Sequence, residues 1–585
     1  MAHNSYWYDW GLYGAYPRVA YNSFASASPW SNILKSDDRC DAGFTLIEPR
    51  GESVPSPGPI ILDNQGDLVW METKYGQAMD LKVQTYKGND YLTFWHGSDS
   101  GWFGRGYYLM LDSSYNVFKN ITAAGNIDGD LHEFQITPQG TALLTAYVAQ
   151  ATNLSAYGVA NGQIYDSIFQ EIDLETGELI FEWYASEHFA ITDSLAPYEE
   201  HKGAWDFFHI NSVDKDPLTG NYLVSSRYMC AVACIDGTTG QVLWQLGGKH
   251  NSFIDLSEGH ATDFSWQHHA RIHHQNPDDA TKALLTVFDN GAYYNKALRR
   301  ASHSRGLLID INTQAMTAQL RHGLVAPQNF LVPSQGSVNI LPQTGNVLVG
   351  WGHHPAWTEY DAATGEVLCD VHLGASHLTA YSRVKSYRTF KSKWVGRPAT
   401  NPDAVLKVDE EAVYVSWNGA TEVAGWLVQS LWDEDDEDKS HAQNEDAKGE
   451  LFKTEGEETF RYTSDVVQVP KQGFETTIDL TRLEMASHIQ VVAVDAKGNE
   501  LGCSEIINVE TGLYLSGKDL PAVAFFKQRL RTRKNSKYDE LPQAEASQMG
   551  SADDWDHELA WRWENAKGQK TCLGKCVHNI SANSG

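Results

Sequence analysis

The sequence has no apolar run approaching the ~18 residues that a membrane span needs. Its first segment, Met1 to Pro29, is aromatic and polar with no continuous apolar core of the signal-peptide type. The chain is therefore expected to be soluble, with localisation otherwise open; it would be secretory if a leader has been removed. Basic charge is also scarce, with 45 Lys and Arg against 75 Asp and Glu, a formal net charge of −30. Such a surplus repels phosphate backbones and anionic lipid, so nucleic acid and membrane are excluded as expected partners. The basic run Lys527 to Lys537 is the local exception and reads as a solvated tail helix.

Cysteine is sparse, seven in all, and the odd number leaves at least one unpaired in a monomer. Cys230 and Cys234 fall in what reads as a strand, where a four-residue offset separates Cα atoms by roughly 13 Å, beyond disulfide reach. Without two further ligands at suitable spacing they do not make a zinc site and read as buried thiols. No metal and no cofactor is expected. Asn120-Ile-Thr, Asn153-Leu-Ser and Asn579-Ile-Ser are glycosylation sequons, a number near chance for this length.

What is present is aromatic and turn-rich: 11% aromatic residues, 19 Trp and 48 Gly among 585 residues, with 42% apolar. This mixture excludes collagen, coiled coil and general disorder. A short signature recurs: an aliphatic or Tyr residue, an Asp, a turn, then an alternating apolar strand. It occurs at Leu62-Asp63, Leu111-Asp112, Ile172-Asp173, Ile235-Asp236, Ile309-Asp310 and Tyr360-Asp361, with Asp spacings of 49, 61, 63, 74 and 51. Asp bonds to the turn backbone, and Gly supplies the positive φ of tight hairpins.

Each interval holds a second strand pair, such as His132–Ile136 with Thr141–Thr145 and Ser337–Leu341 with Asn346–Val349. Four strands per repeat in six repeats predict an all-β fold whose main body, residues 40–395, is a six-bladed β-propeller. Strands near Gly43–Ile47 and Pro59–Leu62 are expected to close the ring with the segment after Tyr381. Residues 1–39 are an N-terminal extension. Past Gly396-Arg-Pro-Ala-Thr-Asn-Pro402, seven short strands over 403–511 predict a fibronectin-III-like β-sandwich carrying a solvated acidic insertion at 432–457. The remaining tail, 512–585, is partly helical around Trp555, Trp561 and Trp563.

Side chains from many blades converge at the mouth of such a channel, so polar residues at the first strand of each repeat are the functional candidates. Apolar alternation stacks His132, His209, His268 and Ser337 at one level, with Asp80 as the counterpart in an earlier blade. The three imidazoles lie 77 and 59 residues apart. A lone histidine reads as structural, but three at one level suit general base, hydrogen-bond donor or nucleophile. Second strands end in Arg227-Tyr228, Asp289-Asn290 and Trp351-Gly352-His353-His354. Arg227 reads equally as an oxyanion fork or as a bridge to an inter-blade carboxylate. The catalytic candidates are His209, His268, Arg227 and His354; the substrate-binding ones are His132, Tyr228, Asn290, Trp351, His353, Ser337 and Asp80.

Asp206-Phe-Phe-His-Ile-Asn-Ser212, Ser225-Ser-Arg227, Gln267-His268-x-Ala270-Arg271, Phe288-Asp-Asn-Gly291 and Gly350-Trp-Gly352 with Thr358-Glu-Tyr-Asp361 occur in that order. Over roughly 40–512 the chain resembles the arylsulfotransferase family in its fungal branch. The bacterial branch moves a sulfuryl group between phenols through a sulfated histidine assisted by other histidines and an arginine. His209 and His268 match supporting histidines. The nucleophile of the bacterial pattern would fall near Ala356, with His353 and His354 close by. Ala292-Tyr293-Tyr294 stands where the arginine would follow Asp-Asn-Gly, and Arg305 is a distant substitute.

The fungal branch is also similar to cofactor-independent hetero-Diels–Alder enzymes of tropolone sesquiterpenoid biosynthesis. The resemblance with these departures implies, as the favoured expectation, cycloaddition of an o-quinone methide with a terpene alkene, gaining from orientation of small-molecule aromatic and terpene substrates. Sulfuryl transfer is the alternative. Two other classes stand beside them. Thr239-Gly-Gln-Val-Leu-Trp244 is similar to the docking turns of quinoprotein dehydrogenases, and a propeller also serves as a non-catalytic recognition platform.

Overall fold

The computed structural model describes residues 6–198, 203–381, 383–433, 451–453, 459–481 and 487–515. Most of the acidic insertion, the basic run, Cys572, Cys576 and the Trp-containing tail lie outside the described residues. The chain is all-β. It divides into two compact units: Met1–Val19 with Ser28–Ala399 and Asn418–Thr421, and Ala20–Ala27 with Thr400–Trp417 and Glu422–Gly585. Among the described residues no helix is long and apolar enough to cross a membrane.

In the first unit, antiparallel sheets follow one another along the chain. Phe44–Ile47, Ile60–Leu62 and Leu68–Met71 pair in order, and Phe390–Ser392 from the far end adds beside Phe44–Ile47, Phe390 opposite Leu46. The next sheet is Ala78–Tyr86, Asn89–Asp99, Gly104–Leu111 and Val117–Ile121. A single Gly129–Gly106 pairing ties it to Gly129–Ile136, Thr141–Leu154, Val159–Asp173 and Leu179–Tyr184. Three more begin with Ile210–Lys215, His268–His273 and Ser337–Ile340; the last ends in Val367–His372 and is extended by Asn32–Lys35. Consecutive first strands touch one another in chain order, and Phe390–Ser392 touches both the last of these sheets and Ala78–Tyr86.

Middle strands such as Tyr222–Ser226 and Ala231–Ile235 are buried throughout, because neighbouring sheets cover both faces. Aromatic residues fill the space between sheets: Phe169, Phe181, Trp183 and Tyr222 stack or tilt on one another with centroids 4.8–5.7 Å apart. At the turns, Asp63, Asp112, Asp173, Asp236 and Asp361 each accept two backbone amides through one carboxylate oxygen. Asp310 departs from the expected pattern. Asn312 caps that turn, accepting from Gln314 and Ala315, while Asp310 pairs with Arg321. The Asn side chain satisfies the same amides, and this frees the carboxylate two residues earlier.

Cys40 and Cys369 form a disulfide across 329 residues, joining the segment after Asn32–Lys35 to the strand with which it pairs. Cys230 and Cys234 are buried free thiols, and Cys503 is buried as well. Cys230 precedes its strand, with a left-handed φ of 50°.

The second unit has two antiparallel sheets. One holds Asp403–Lys407, Ala412–Ser416 and Glu475–Asp479. The other holds Leu451–Lys453, Thr459–Pro470, Gly425–Asp433, His488–Val494 and Glu500–Cys503, with Ile507–Asn508 beside His488–Val494. Two details differ from expectation. Leu451–Lys453, within the span read as a solvated loop, pairs as an edge strand with Thr459–Pro470. The final expected strand, Ser504–Val509, is displaced into Glu500–Cys503 and a short Ile507–Asn508.

Candidate active site

The site lies where the first strands of the first unit begin. Four of these strands are irregular at that end: pairing shifts between Met79 and Lys82, Gly129 and Phe134, Ile210 and Ser212, and His268 and Arg271. Asp80, His209 and His269 hold left-handed φ values of 63°, 55° and 53°. Bulges of this kind re-aim side chains, and a non-glycine residue in that region costs on the order of 1–3 kcal/mol. The result is a cavity of about 60 Å³ whose walls include His132, His209, His268, Arg227, Arg50 and Lys385.

Two of the imidazoles are backed by aspartates. Asp130 Oδ2 lies 2.6 Å from His132 Nδ1, and Asp206 Oδ2 lies 2.5 Å from His209 Nδ1. A carboxylate accepting from Nδ1–H leaves Nε2 as the nitrogen open to the cavity, with a lone pair in the neutral ring or a second proton in the imidazolium, and among the described residues neither Nε2 has a hydrogen-bond partner. The rings meet edge to face with centroids 4.9 Å apart.

The two dyads differ electrostatically. Burial pushes Asp130 up, but the His132 charge and hydrogen bond, with the amides of Gly104 and His132, outweigh it and hold the carboxyl below its ordinary range. Burial dominates at Asp206, which is pushed up to about 7. Burial, then the charges of His132 and Arg227, keep His209 well below the imidazole range, so its ring is neutral.

His268 also lines the cavity, but both its nitrogens are committed. Nδ1 bonds Asn290 Oδ1 at 2.7 Å, and Nε2 accepts the Gln335 amide at 3.1 Å. Asn290 is fixed in turn by donating to the carbonyls of Val332 and Gln335 at 3.1 and 3.0 Å. His268, expected as a catalytic residue, is thus a wall of the cavity with both ring nitrogens engaged, and Asn290, expected at the substrate, holds its Nδ1.

The cations are the second component. Arg227 is buried and pairs with no carboxylate among the described residues. Its Nη2 donates to Pro333 O at 2.7 Å, its Nε has no partner, and its guanidinium lies 4.9–6.0 Å from the ring centres of Tyr228, Trp266, Tyr293 and Tyr294. Of the two sequence readings of Arg227, the carboxylate bridge is therefore absent. Arg50 is buried with Nε and Nη1 unpartnered; with the Gln335 amide turned to suit its neighbours, Gln335 accepts from Arg50 Nη2 at 2.8 Å. Burial lowers the pKa of Arg50, and burial with the Arg50 charge lowers that of Lys385; Asp99 opposes both shifts. These are charges held at a cost that a bound anion would relieve.

Other candidates lie elsewhere. Trp351 is fully buried against Phe288 and Phe330, its indole N–H donating to Thr358. Ser337 exchanges hydrogen bonds with the Thr389 backbone. His354 stacks on Phe330 at 4.4 Å, away from the cavity, and burial and neighbouring imidazoles push it down to about 3. His353 is pushed down to about 4 by burial and then by Lys385 and Arg50; it packs near Tyr294 just behind the wall. Asp80 belongs to a separate buried ionic cluster, with Lys82 and Arg388 each 2.7 Å away. In the same cluster Glu133 accepts from Arg271 at 2.6 Å. Arg305 is tied to Asp289 at 2.7 Å. Tyr228 packs tilted against His209 at 4.7 Å and lines an adjoining aromatic groove.

Sequence reasoning missed Arg50, Lys385, Asp130 and Asp206 as site residues. The aspartates had a readable signal, Asp-x-His and Asp-x-x-His at strand starts. Arg50 and Lys385 had none. They exchange backbone hydrogen bonds of 2.8 Å in each direction across 335 residues, which follows from three-dimensional closure alone. Among the described residues no three His, Cys, Asp or Glu side chains stand together as a metal site.

Residues 82–372, just under half of the chain, match the family described as Arylsulfotransferase (ASST). No curated protein matches the chain. Solved structures with similarity include a protein of unknown function from Bacteroides caccae, 14% identical, covering 60% of this chain and 98% of its own with a TM-score of 0.35. Apo AztD from Citrobacter koseri is 7% identical, with coverages of 60% and 99% and a TM-score of 0.29. The Cps50 (Swd1) β-propeller domain of Myceliophteria thermophila is 10% identical, with coverages of 58% and 88% and a TM-score of 0.29.

Proposed function

We propose that the protein is an aryl sulfotransferase whose site sits at one mouth of a six-bladed β-propeller, the second unit being a fibronectin-like sandwich. The cyclic contacts of the first strands support the ring, and the arylsulfotransferase match over residues 82–372 supports the chemistry. The observation that carries the reading is the cavity itself: the buried guanidinium groups of Arg50 and Arg227, ion-paired with no carboxylate among the described residues, and the half-buried Lys385, with Asp99 the one carboxylate of the wall, beside two Asp-backed imidazoles with open Nε2 atoms.

The two dyads divide the work by environment. Neutral His209 attacks the sulfur of an aryl sulfate through Nε2. The N–S bond forms as the S–O bond to the phenol breaks, and the departing oxygen takes a proton from His132, whose imidazolium the ionised Asp130 stabilises. A second phenol then gives its proton to His132 and its oxygen attacks sulfur, restoring His209. Arg227, Arg50 and Lys385 hold the equatorial sulfuryl oxygens. A cycloaddition calls instead for apolar walls and leaves unpaired buried cations unexplained, so the sulfuryl alternative takes precedence over the hetero-Diels–Alder expectation.

The test is incubation with 4-nitrophenyl sulfate. The expected result is release of 4-nitrophenol and a mass gain of one sulfuryl group that His209→Ala abolishes. Absence of both release and adduct would overturn the proposal.

A further inference from the structure

Beside the anion cavity lies a second cavity of about 90 Å³, lined by Trp102, Phe103, Tyr165, Trp205, Tyr228 and Tyr293, with Asp206 as its single carboxylate among the described residues. The rings are already ordered: Phe103 packs on Tyr165 at 4.7 Å and stacks on Tyr147 at 4.9 Å. The two cavities share walls. Trp102 lines both, Tyr228 in the groove packs tilted against His209 in the pocket, and Asp206 in the groove holds that same ring through Nδ1. The two differ in charge: three cations with one carboxylate, Asp99, line the first, and aromatic faces with one carboxylate and no cation line the second among the described residues.

We infer that this groove holds the aromatic ring of the phenol, and that Asp206 restricts it to rings that carry no negative charge of their own. The inference takes from the proposed function only what a bound phenol is for. Flat aromatic walls favour a planar ring in offset or edge-to-face contact. A carboxylate on that ring would meet Asp206 at short range in a partly desolvated slot. Phe103 and Tyr165 touch neither the imidazoles' nitrogens nor the cations, so they report on ring binding alone.

Calorimetric titration separates the parts, using 4-cresol, 4-hydroxybenzoate and inorganic sulfate as probes, with the phenols titrated in saturating sulfate so that the anion cavity cannot take the carboxylate. The inference expects 4-cresol to bind at least tenfold more tightly than 4-hydroxybenzoate. Phe103→Leu and Tyr165→Leu should each weaken 4-cresol at least fivefold without changing sulfate affinity or the melting temperature by more than a few degrees. Asp206→Asn should narrow the gap between the two phenols. Unchanged 4-cresol affinity in both groove variants, or equal affinity of the wild type for both phenols, would overturn it. A groove that behaves as expected in a protein with neither sulfate binding nor sulfuryl transfer would overturn the proposed function and leave the groove assignment standing.

Discussion

Arg227 is held among aromatic rings with one carbonyl as its fixed partner, and that isolation sets its value to an incoming anion. Replacing it with Gln should lower kcat/KM for an aryl sulfate by about 10²–10³, the scale of losing one preorganised donor to a charged transferring group; steady-state kinetics at constant pH would check this, and near-normal turnover would count against the anion site. The buried imidazoles carry a second prediction. Burial holds His268 and His269 well below the ordinary range, His353 at about 4 and His354 at about 3. In the unfolded chain the same rings titrate near ~6.5. Between that value and pH 4 the unfolded state binds protons that the native state does not, so stability falls as pH falls, by up to about 1.4 kcal/mol per pH unit for each ring. Melting temperatures at pH 7, 6 and 5 should decline in that order, the four rings outweighing Asp206 and Glu48, which burial pushes up to about 7 and which act in the opposite sense; a rising series would contradict the burial of these rings.

At the level of strands and turns, a cluster of opposed charges joins the first strands. Arg388 reaches Asp80, Glu133 and the Asn211 carbonyl, while Lys82 and Arg271 share Glu133. Glu133→Gln would leave three buried cations facing Asp80 alone. The expected loss is about 3–5 kcal/mol, the cost of removing one member of a buried ionic group, visible as a lowered urea midpoint. Gly352 offers a local comparison: its φ is 56°, and a Cβ there would lie 2.4 Å from the Gly336 amide nitrogen, so Gly352→Ala should destabilise through backbone collision.

Much of this level was legible. Asp-and-turn repeats announced the hairpins because one carboxylate oxygen satisfying two amides leaves a sequence trace. The expected pairing of the strand near Gly43–Ile47 with the segment after Tyr381 is present as Phe44–Ile47 beside Phe390–Ser392. Facing was less legible at the starts of the strands. Alternation assumes one residue per pleat, and the bulges at Asp80, Asn211 and His269 break that count, so Asp80 was placed with the imidazoles but bonds elsewhere; Ser337, in a strand that pairs without a shift, bonds to the Thr389 backbone instead. Trp351, His353 and His354 lie in the turn between Val347–Gly350 and Ala356–Tyr360, where alternation carries no information about direction.

Across the whole chain, the Cys40–Cys369 bridge ties residues 329 apart. Removing it by Cys369→Ser should cost about 2–4 kcal/mol through the freedom returned to the unfolded chain, read as a lower melting temperature that matches the reduced wild type. If reduction leaves the melting temperature unchanged, the bridge contributes nothing. The bridge had no pattern in the sequence, since seven cysteines permit many pairings and only the adjacency of Asn32–Lys35 to Val367–His372 selects this one. The mutual hydrogen bonding of Arg50 and Lys385 has a consequence in time. Two of the cations facing the cavity come from opposite ends of the same unit, so a chain still being synthesised owns His132, His209 and Arg227 long before it owns a site. Activity would begin only when the segment around Lys385 has left the ribosome and docked, so that catalysis itself reports the completion of folding.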